Sequence, residues 1–155
     1  MKHPYRAYAL ITSVYLGFHG GFVALARSKG RELSQRLSLL DLVTLGLATF
    51  RLSRLAAWDE VTSFLRLPFV KHGPEDKVEG KEQEPRGRGL VRALGELITC
   101  TTCIGTWIAA GLMYALYLVP SLARPLISIL AAAGLSQFVD GLVSLVYSAR
   151  DRLGQ

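Results

Sequence analysis

The chain has 155 residues, half of them hydrophobic and only 19% charged, with a formal net charge of +6. That length fits one domain, and a soluble domain of the same size would carry about a quarter charged residues. Two cysteines in a single C-x-x-C exclude a disulfide framework across the fold, and no basic stripe with interleaved aromatics supports nucleic-acid binding despite a pI near 9.6.

The charges are unevenly placed. Ala7 to Ala26 is a run of 20 residues without Lys, Arg, Asp or Glu, and the 27 residues between Glu96 and Arg124 are another; from Pro125 to Ala149 only Asp140 interrupts. A helix needs roughly 20 apolar residues to cross about 30 Å of hydrocarbon. The pattern therefore predicts an all-α membrane protein, a single helical domain over 1–155 with three or four transmembrane helices. The membrane segments fall at about 7–26, 37–58, 100–119 and 126–147.

The first segment follows a short basic lead containing Lys2 and Arg6. Basic flank, apolar run and the ending Ala24-Leu25-Ala26 also resemble a secretory signal, but the run is long for one and His19 with Gly20-Gly21 breaks it, so a retained span is expected. Gly17 and Gly21 form a Gly-x-x-x-Gly pair, which either admits a neighbouring helix or reflects the tolerance of membrane helices for glycine. His19 is expected as a satisfied core residue, and His3 and His72 as surface residues.

The second segment is ambiguous because Asp41, Arg51 and Arg54 leave only Leu42–Phe50 uncharged. Each charge at mid-membrane costs roughly 2.5–3.5 kcal/mol, so the segment crosses only if its charges pair or snorkel. Asp41, Thr44, Ala48, Arg51 and Leu55 share a face at helical spacing, and the pattern continues until Pro68 should stop it. Residues 71–88 mix Lys, Arg, Glu and Asp with Gly and Pro, which reads as a mobile, solvated loop. Leu90, Val91, Leu94, Leu97 and Ile98 then make the apolar face of a short amphipathic helix, with Arg92 and Glu96 paired at i,i+4.

The third segment runs from near Cys100 and stops at Pro120. Pro120–Pro125 is expected as a short loop that makes segments three and four an antiparallel hairpin. The positive-inside rule admits two topologies. If all four segments cross, five basic residues (Arg27, Lys29, Arg31, Arg36, Arg124) lie outside and 13 inside; if the second does not, three (Lys2, Arg6, Arg124) lie outside and 15 inside. Both put the charged loop 71–92 and the C-terminus in the cytoplasm.

Two strings then stand out. One is Leu47-Ala48-Thr49-Phe50-Arg51-Leu52-Ser53-Arg54-Leu55, followed by Asp59, Val61-Thr62 and Leu65-Arg66-x-Pro68-Phe69. The other is Gly95-Glu96-Leu97-Ile98-Thr99-Cys100-Thr101-Thr102-Cys103-Ile104-Gly105-Thr106-Trp107. Over roughly residues 38–145 the chain resembles the bacterial membrane-protein family catalogued as Domain of Unknown Function thirteen-sixty. The resemblance implies a multi-pass protein of the bacterial inner membrane and carries no activity. Thr101 stands where that family usually has proline, which weakens a redox reading built on a Cys-Pro-x-Cys turn.

Three constellations could carry chemistry. Cys100 and Cys103 lie one turn apart at a helix start, where the dipole favours a thiolate. They could be a redox pair, a metal site with His72 or Glu96 as makeshift partners, or small packing residues capped by Thr99, Thr101 or Thr102; packing is the default, and no cofactor is expected. Trp107, Tyr114 and Tyr117 recur on one helix face, as ordinary packing or as the lining for a lipid, quinone or pigment. Asp140 is costly in lipid and should face the bundle interior, joined to Arg51 or Arg54 in a charge network that includes Asp41; a proton or ion relay is the functional alternative.

No Walker loop, dinucleotide fingerprint, nucleophile elbow or metalloprotease motif is present. The expectation is a noncatalytic structural or accessory subunit. It would pack in the bilayer against a membrane protein or a second copy through small residues such as Gly17, Gly21, Gly105, Ala109, Gly111, Ala115 and Ala131–Gly134. The alternatives are a membrane thiol redox or metal-handling protein, and a small transporter or pore component.

Overall fold

The computed structural model describes residues 5–28, 37–71 and 84–153. The polar linker 29–36, most of the charged loop, and His3 and His72 lie outside the described residues. Six α-helices follow in order: α1 (Tyr5–Ser28), α2 (Leu39–Ala57), a 3₁₀ turn (Glu60–Thr62), α3 (Ser63–Arg66), α4 (Leu90–Thr99), α5 (Thr101–Leu118) and α6 (Pro120–Leu153). Among the described residues there is no strand, only an isolated antiparallel bridge between Val70 and Pro85. Helices α1, α5 and α6 are long and apolar enough to cross a membrane; α2 falls short by composition.

Helix α2 is the hub nonetheless. It starts at a capping box: Ser38 Oγ accepts from Asp41 N–H, and the Asp41 carboxylate accepts from Ser38 N–H at 3.1 Å and Ser38 O–H at 2.7 Å. The helix then runs between α5 and α6, burying Ala48 completely in a core completed by Leu112, Ala123, Ile127 and Ala131. Small residues set the spacing. A Cβ on Gly134 of α6 would lie 2.5 Å from the Leu47 carbonyl oxygen, and one on Gly105 of α5 would lie 3.0 Å from Ser53 Oγ. Leu47 beside Gly134 and Asp41 near Arg124 make α2 parallel to α6, whereas Ser53 beside Gly105 makes it antiparallel to α5.

The end of α2 is closed by the segment that follows. A helix leaves its last carbonyls unpaired. Here Trp58 N–H bonds the Arg54 carbonyl at 2.8 Å, the Thr62 hydroxyl donates to that of Leu55, and Arg66 Nη1 donates to that of Ala56 at 2.9 Å. Arg66 Nη2 also reaches the Asp59 carbonyl at 3.0 Å.

The chain departs from expectation in two places. Pro120–Pro125 is helix rather than loop: Val119 alone connects α5 to α6, and Pro120 occupies the first helical position, where its missing N–H costs no bond. Helix α6 thus extends from 120 to 153 instead of 126 to 147. The charged loop is pinched at its neck, where Lys71 N–H bonds the Glu84 carbonyl (2.9 Å) and Arg86 N–H bonds that of Phe69 (2.7 Å). Gly95 of α4 fits against this neck, since a Cβ there would lie 2.6 Å from Phe69 O. Gly17 and Gly21 fit the second of their two readings, tolerance of glycine, since among the described residues an added Cβ at either would meet nothing within 4 Å.

Candidate functional site

The two strings singled out in the sequence meet in space. The end of α2, the 3₁₀ turn and α3 carry the first; α4 and the start of α5 carry the second. Ser53 faces Gly105, and Phe69 faces Gly95. At this junction Arg51 Nη2 pairs with Asp59 Oδ2 at 2.9 Å, with the two side chains 20% and 30% exposed. Arg66 is buried beneath, its guanidinium donating to the carbonyls of Ala56 and Asp59, and burial pushes its pKa below the usual arginine value while Asp59 opposes the shift. The Arg54 guanidinium lies 4.6 Å from the Trp58 ring centre and 5.6 Å from that of Phe50.

Two grooves flank Arg54. One, about 550 Å³, runs between α2 and α5. The other, about 530 Å³, lies between α2 and α6 and is lined by Arg54, Gln137, Asp140 and Ser144 among others. Among the described residues, Arg51 Nη1 and Gln137 Oε1, on facing helices, are buried and meet no hydrogen-bond partner.

The expected charge network therefore divides. Arg51 takes Asp59 rather than Asp140. Asp41 sits at the other end of α2, occupied in its capping box. Asp140 is exposed rather than interior, because α6 outruns its neighbours and every residue from Phe138 to Arg152 is exposed. It shares the α2–α6 groove with Arg54.

Cys100 and Cys103 are joined by a disulfide across one turn, with Cα atoms 5.2 Å apart. The cap of α5 is Cys100 itself, whose Sγ accepts from Cys103 N–H at 3.2 Å, and not one of the neighbouring threonines. Among the described residues no group of three or more His, Cys, Asp or Glu gathers to hold a metal.

The aromatic face of α5 is covered by α1. Trp107 meets Tyr15 edge-on at 4.9 Å, Tyr114 stacks on Phe22 at 3.9 Å, and Tyr117 meets Phe22 at 5.4 Å. His19 joins this cluster, with Nδ1 2.9 Å from the Tyr15 carbonyl oxygen, which requires the proton on Nδ1. Lower down, the Tyr8 hydroxyl donates to Glu96, whose other oxygen takes Arg92 Nε at 3.0 Å. The Arg92–Glu96 pair was legible from its spacing; Tyr8 as a third member was not. Asp59, Arg66 and Gly95 lie inside the quoted strings but are not readable as a unit from sequence, whereas Gly134 belongs to the small-residue run Ala131–Gly134 expected at helix contacts.

Comparison with known proteins places these features in a family. The family model described as a protein of unknown function, DUF1360, matches residues 44–143, from α2 through α6. The chain is 36% identical over 108 residues to the sporulation protein YjcA of Bacillus subtilis strain 168, covering 68% of this chain and 92% of that protein. It is 33% identical over 111 residues to the UPF0713 protein YngL of the same organism, covering 71% and 83%. No solved structure matches. Helix α1 and its aromatic contacts lie outside the matched region, while the junction of the two strings lies within it. The chain belongs to the DUF1360 family, whose function is uncharacterised.

Proposed function

We propose that this protein is a noncatalytic accessory module of the bacterial inner membrane, which acts by packing against a membrane partner or a second copy of itself. The observation that carries the reading is the uncovered end of α6. At 34 residues α6 is about 51 Å long, against about 28 Å for α2 and 27 Å for α5. Apart from the stripe of Asp140, Ser144 and Ser148, its overhang is apolar: Phe138, Leu142, Leu145, Val146 and Tyr147 are 48–68% exposed. Intramolecular packing leaves this surface to lipid or to another chain.

In the same reading α2 crosses with the other three helices. It lies between α5 and α6 along its length, so two crossing neighbours carry it across. Its charges suit that path. Asp41 is at one end, Arg54 and Trp58 are at the other, and Arg51 carries its own counter-ion. Both termini and the charged loop are then cytoplasmic.

The test is affinity purification from native membranes in mild detergent, comparing the native chain with a Phe138→Ala, Leu142→Ala, Leu145→Ala variant. The name of the relative YjcA makes membranes of sporulating cells the first source. A stoichiometric companion, either another protein or a second copy, that the variant loses supports the reading. A native chain that elutes alone as a monomer contradicts it.

The Cys100–Cys103 disulfide favours a second reading, a membrane thiol redox protein. The bond opens to two thiols on accepting two electrons and two protons from a dithiol, which leaves as a disulfide. Thiol alkylation in intact cells, with and without oxidant, tests it: a pair fully alkylated under both conditions rules the reading out.

A further inference from the structure

We propose that residues 60–68, between α2 and the charged loop, form a lipid-facing anchor seated at the headgroup–acyl boundary of the cytoplasmic leaflet. The proposal rests on the bilayer placement given above and concerns a surface separate from the α6 overhang.

The segment is folded inside out. A helical turn on a soluble protein buries its apolar side chains and exposes its polar ones. Here Val61, Phe64, Leu65 and Leu67 are 50–79% exposed, and Pro68 is exposed beside them. The polar side chains turn inward instead. Arg66 is 3% exposed and donates to the Ala56 and Asp59 carbonyls, while the half-buried Thr62 donates to that of Leu55. Val61, Phe64, Leu65 and Pro68 follow at i, i+3, i+4 and i+7, which makes one continuous face. With Arg66 withdrawn, that face has no charged side chain between Glu60 and Lys71. Past Pro68 the ordinary order returns, with Val70 buried.

The same hydrogen bonds fix the depth of the face. The Leu55 and Ala56 carbonyls belong to the last turn of α2, so Thr62 and Arg66 lie level with the helix end rather than beyond it. Asp59 reaches back further, to Arg51. Helix α2, with 19 residues, spans about 28 Å, close to the roughly 30 Å of hydrocarbon. Its last turn and Trp58 therefore sit at the acyl boundary, the depth at which tryptophan is enriched.

Acyl chains fit this face better than a protein does. Four partly exposed side chains fall short of the about 800 Å² that each partner contributes to a standard protein interface. Interfacial segments need no such area, since they sink an apolar face about 5–10 Å into the boundary. Seated there, the segment sets the depth at which α2 stops.

In the full chain, Trp58→Phe and Trp107→Phe remove both native tryptophans, and Phe64→Trp places a single reporter on the face. Arg88→Trp, at an exposed site past the neck of the charged loop, is the aqueous reference. Each chain is reconstituted into phosphatidylcholine–phosphatidylglycerol vesicles. The phosphatidylcholine is brominated near either the carbonyl end or the methyl end of its acyl chains, and acrylamide is the quencher in water. The tryptophan at 64 should be quenched more strongly by the shallow bromines than by the deep ones, and several-fold less by acrylamide than the one at 88. Leu65→Trp, on the same face, should give the same order and keeps the test decisive if Phe64→Trp misfolds.

Equal acrylamide quenching at 64 and 88, without bromine quenching, puts the face in water and overturns the proposal. Resistance to both kinds of quencher overturns it too, because a second copy or another protein then covers the face. Stronger quenching by the deep bromines overturns the boundary position. A chain that stays outside the vesicles overturns the bilayer placement itself.

Discussion

Gly134→Ala adds one methyl group where α6 crosses α2. Its Cβ would lie 2.5 Å from the Leu47 carbonyl oxygen and 3.2 Å from the Leu47 carbonyl carbon, both main-chain atoms of a packed helix. Ordinary contact begins at 3.4 Å, so the oxygen alone demands a separation of 3.4 − 2.5 = 0.9 Å. No flexible side chain is there to yield, so the helices must part. A gap of about 0.5–1 Å forfeits a quarter to a half of the dispersion attraction across an interface. The contacts at risk are those of Ala48 with its core neighbours Ile127 and Ala131. Overpacking of this kind costs about 1–3 kcal/mol, and a main-chain obstacle puts it near the top of that range. Alanine returns at most about 1 kcal/mol of helix propensity. The net loss is about 2 kcal/mol, a roughly thirtyfold shift toward the unfolded state.

The assay is SDS-titrated unfolding in mixed micelles, followed by tryptophan fluorescence. Gly111→Ala is the control, because a Cβ there meets nothing within 4 Å. It should leave stability unchanged or slightly raised. Gly134→Ala within about 0.5 kcal/mol of the native chain, the usual range of a neutral surface change, would refute the packing argument, as would equal damage from Gly111→Ala.

Three further outcomes can be checked by the same titration. Asp59→Asn should cost about 1–2 kcal/mol, discounted for partial exposure, because it strips the half-buried Arg51 of its counter-ion. Exchanging the two charges should restore part of that, and strictly additive effects would deny the pairing. Arg66→Met should cost about 2 kcal/mol by leaving the Ala56 and Asp59 carbonyls unpaired, and should speed amide exchange at Trp58; unchanged exchange there would count against Arg66 as the cap of α2. Ser38→Ala dismantles the capping box for about 1 kcal/mol, and no loss would mean the box contributes nothing.

What the sequence made legible follows from local physics. Charge-free runs of helical length located α1, α5 and α6, and apolar periodicity located α4. The Arg92–Glu96 pair and a membrane placement need only spacing and composition. Pro120 misleads because proline is tolerated at the first helical position, and Pro125 because α6 continues through it, leaving the Ser121 carbonyl without its i+4 N–H. The pairing of Arg51 with Asp59, rather than Arg51 with Asp140, is illegible for a different reason. An intramembrane arginine must find a carboxylate, and Asp140 was the one visible in a crossing segment. Asp59, just past the end of α2, folds back to it through a turn that composition does not reveal. Gly105 and the run Ala131–Gly134 are marked as small residues for helix contacts, but which helix each meets, and the approach at Gly95, are facts of tertiary packing. Likewise the stripe Trp107, Tyr114 and Tyr117 was visible, but the α1 residues that cover it were not.

The central claim is that α2 crosses the bilayer between α5 and α6. Single-cysteine chains, with Cys100 and Cys103 replaced by serine, place a reporter at Ser28→Cys or at Arg88→Cys, both exposed positions. A membrane-impermeant maleimide applied to intact cells should label position 28 and spare position 88 until the cells are opened. If both positions are spared in intact cells and labelled together on lysis, α2 does not cross, and the account fails.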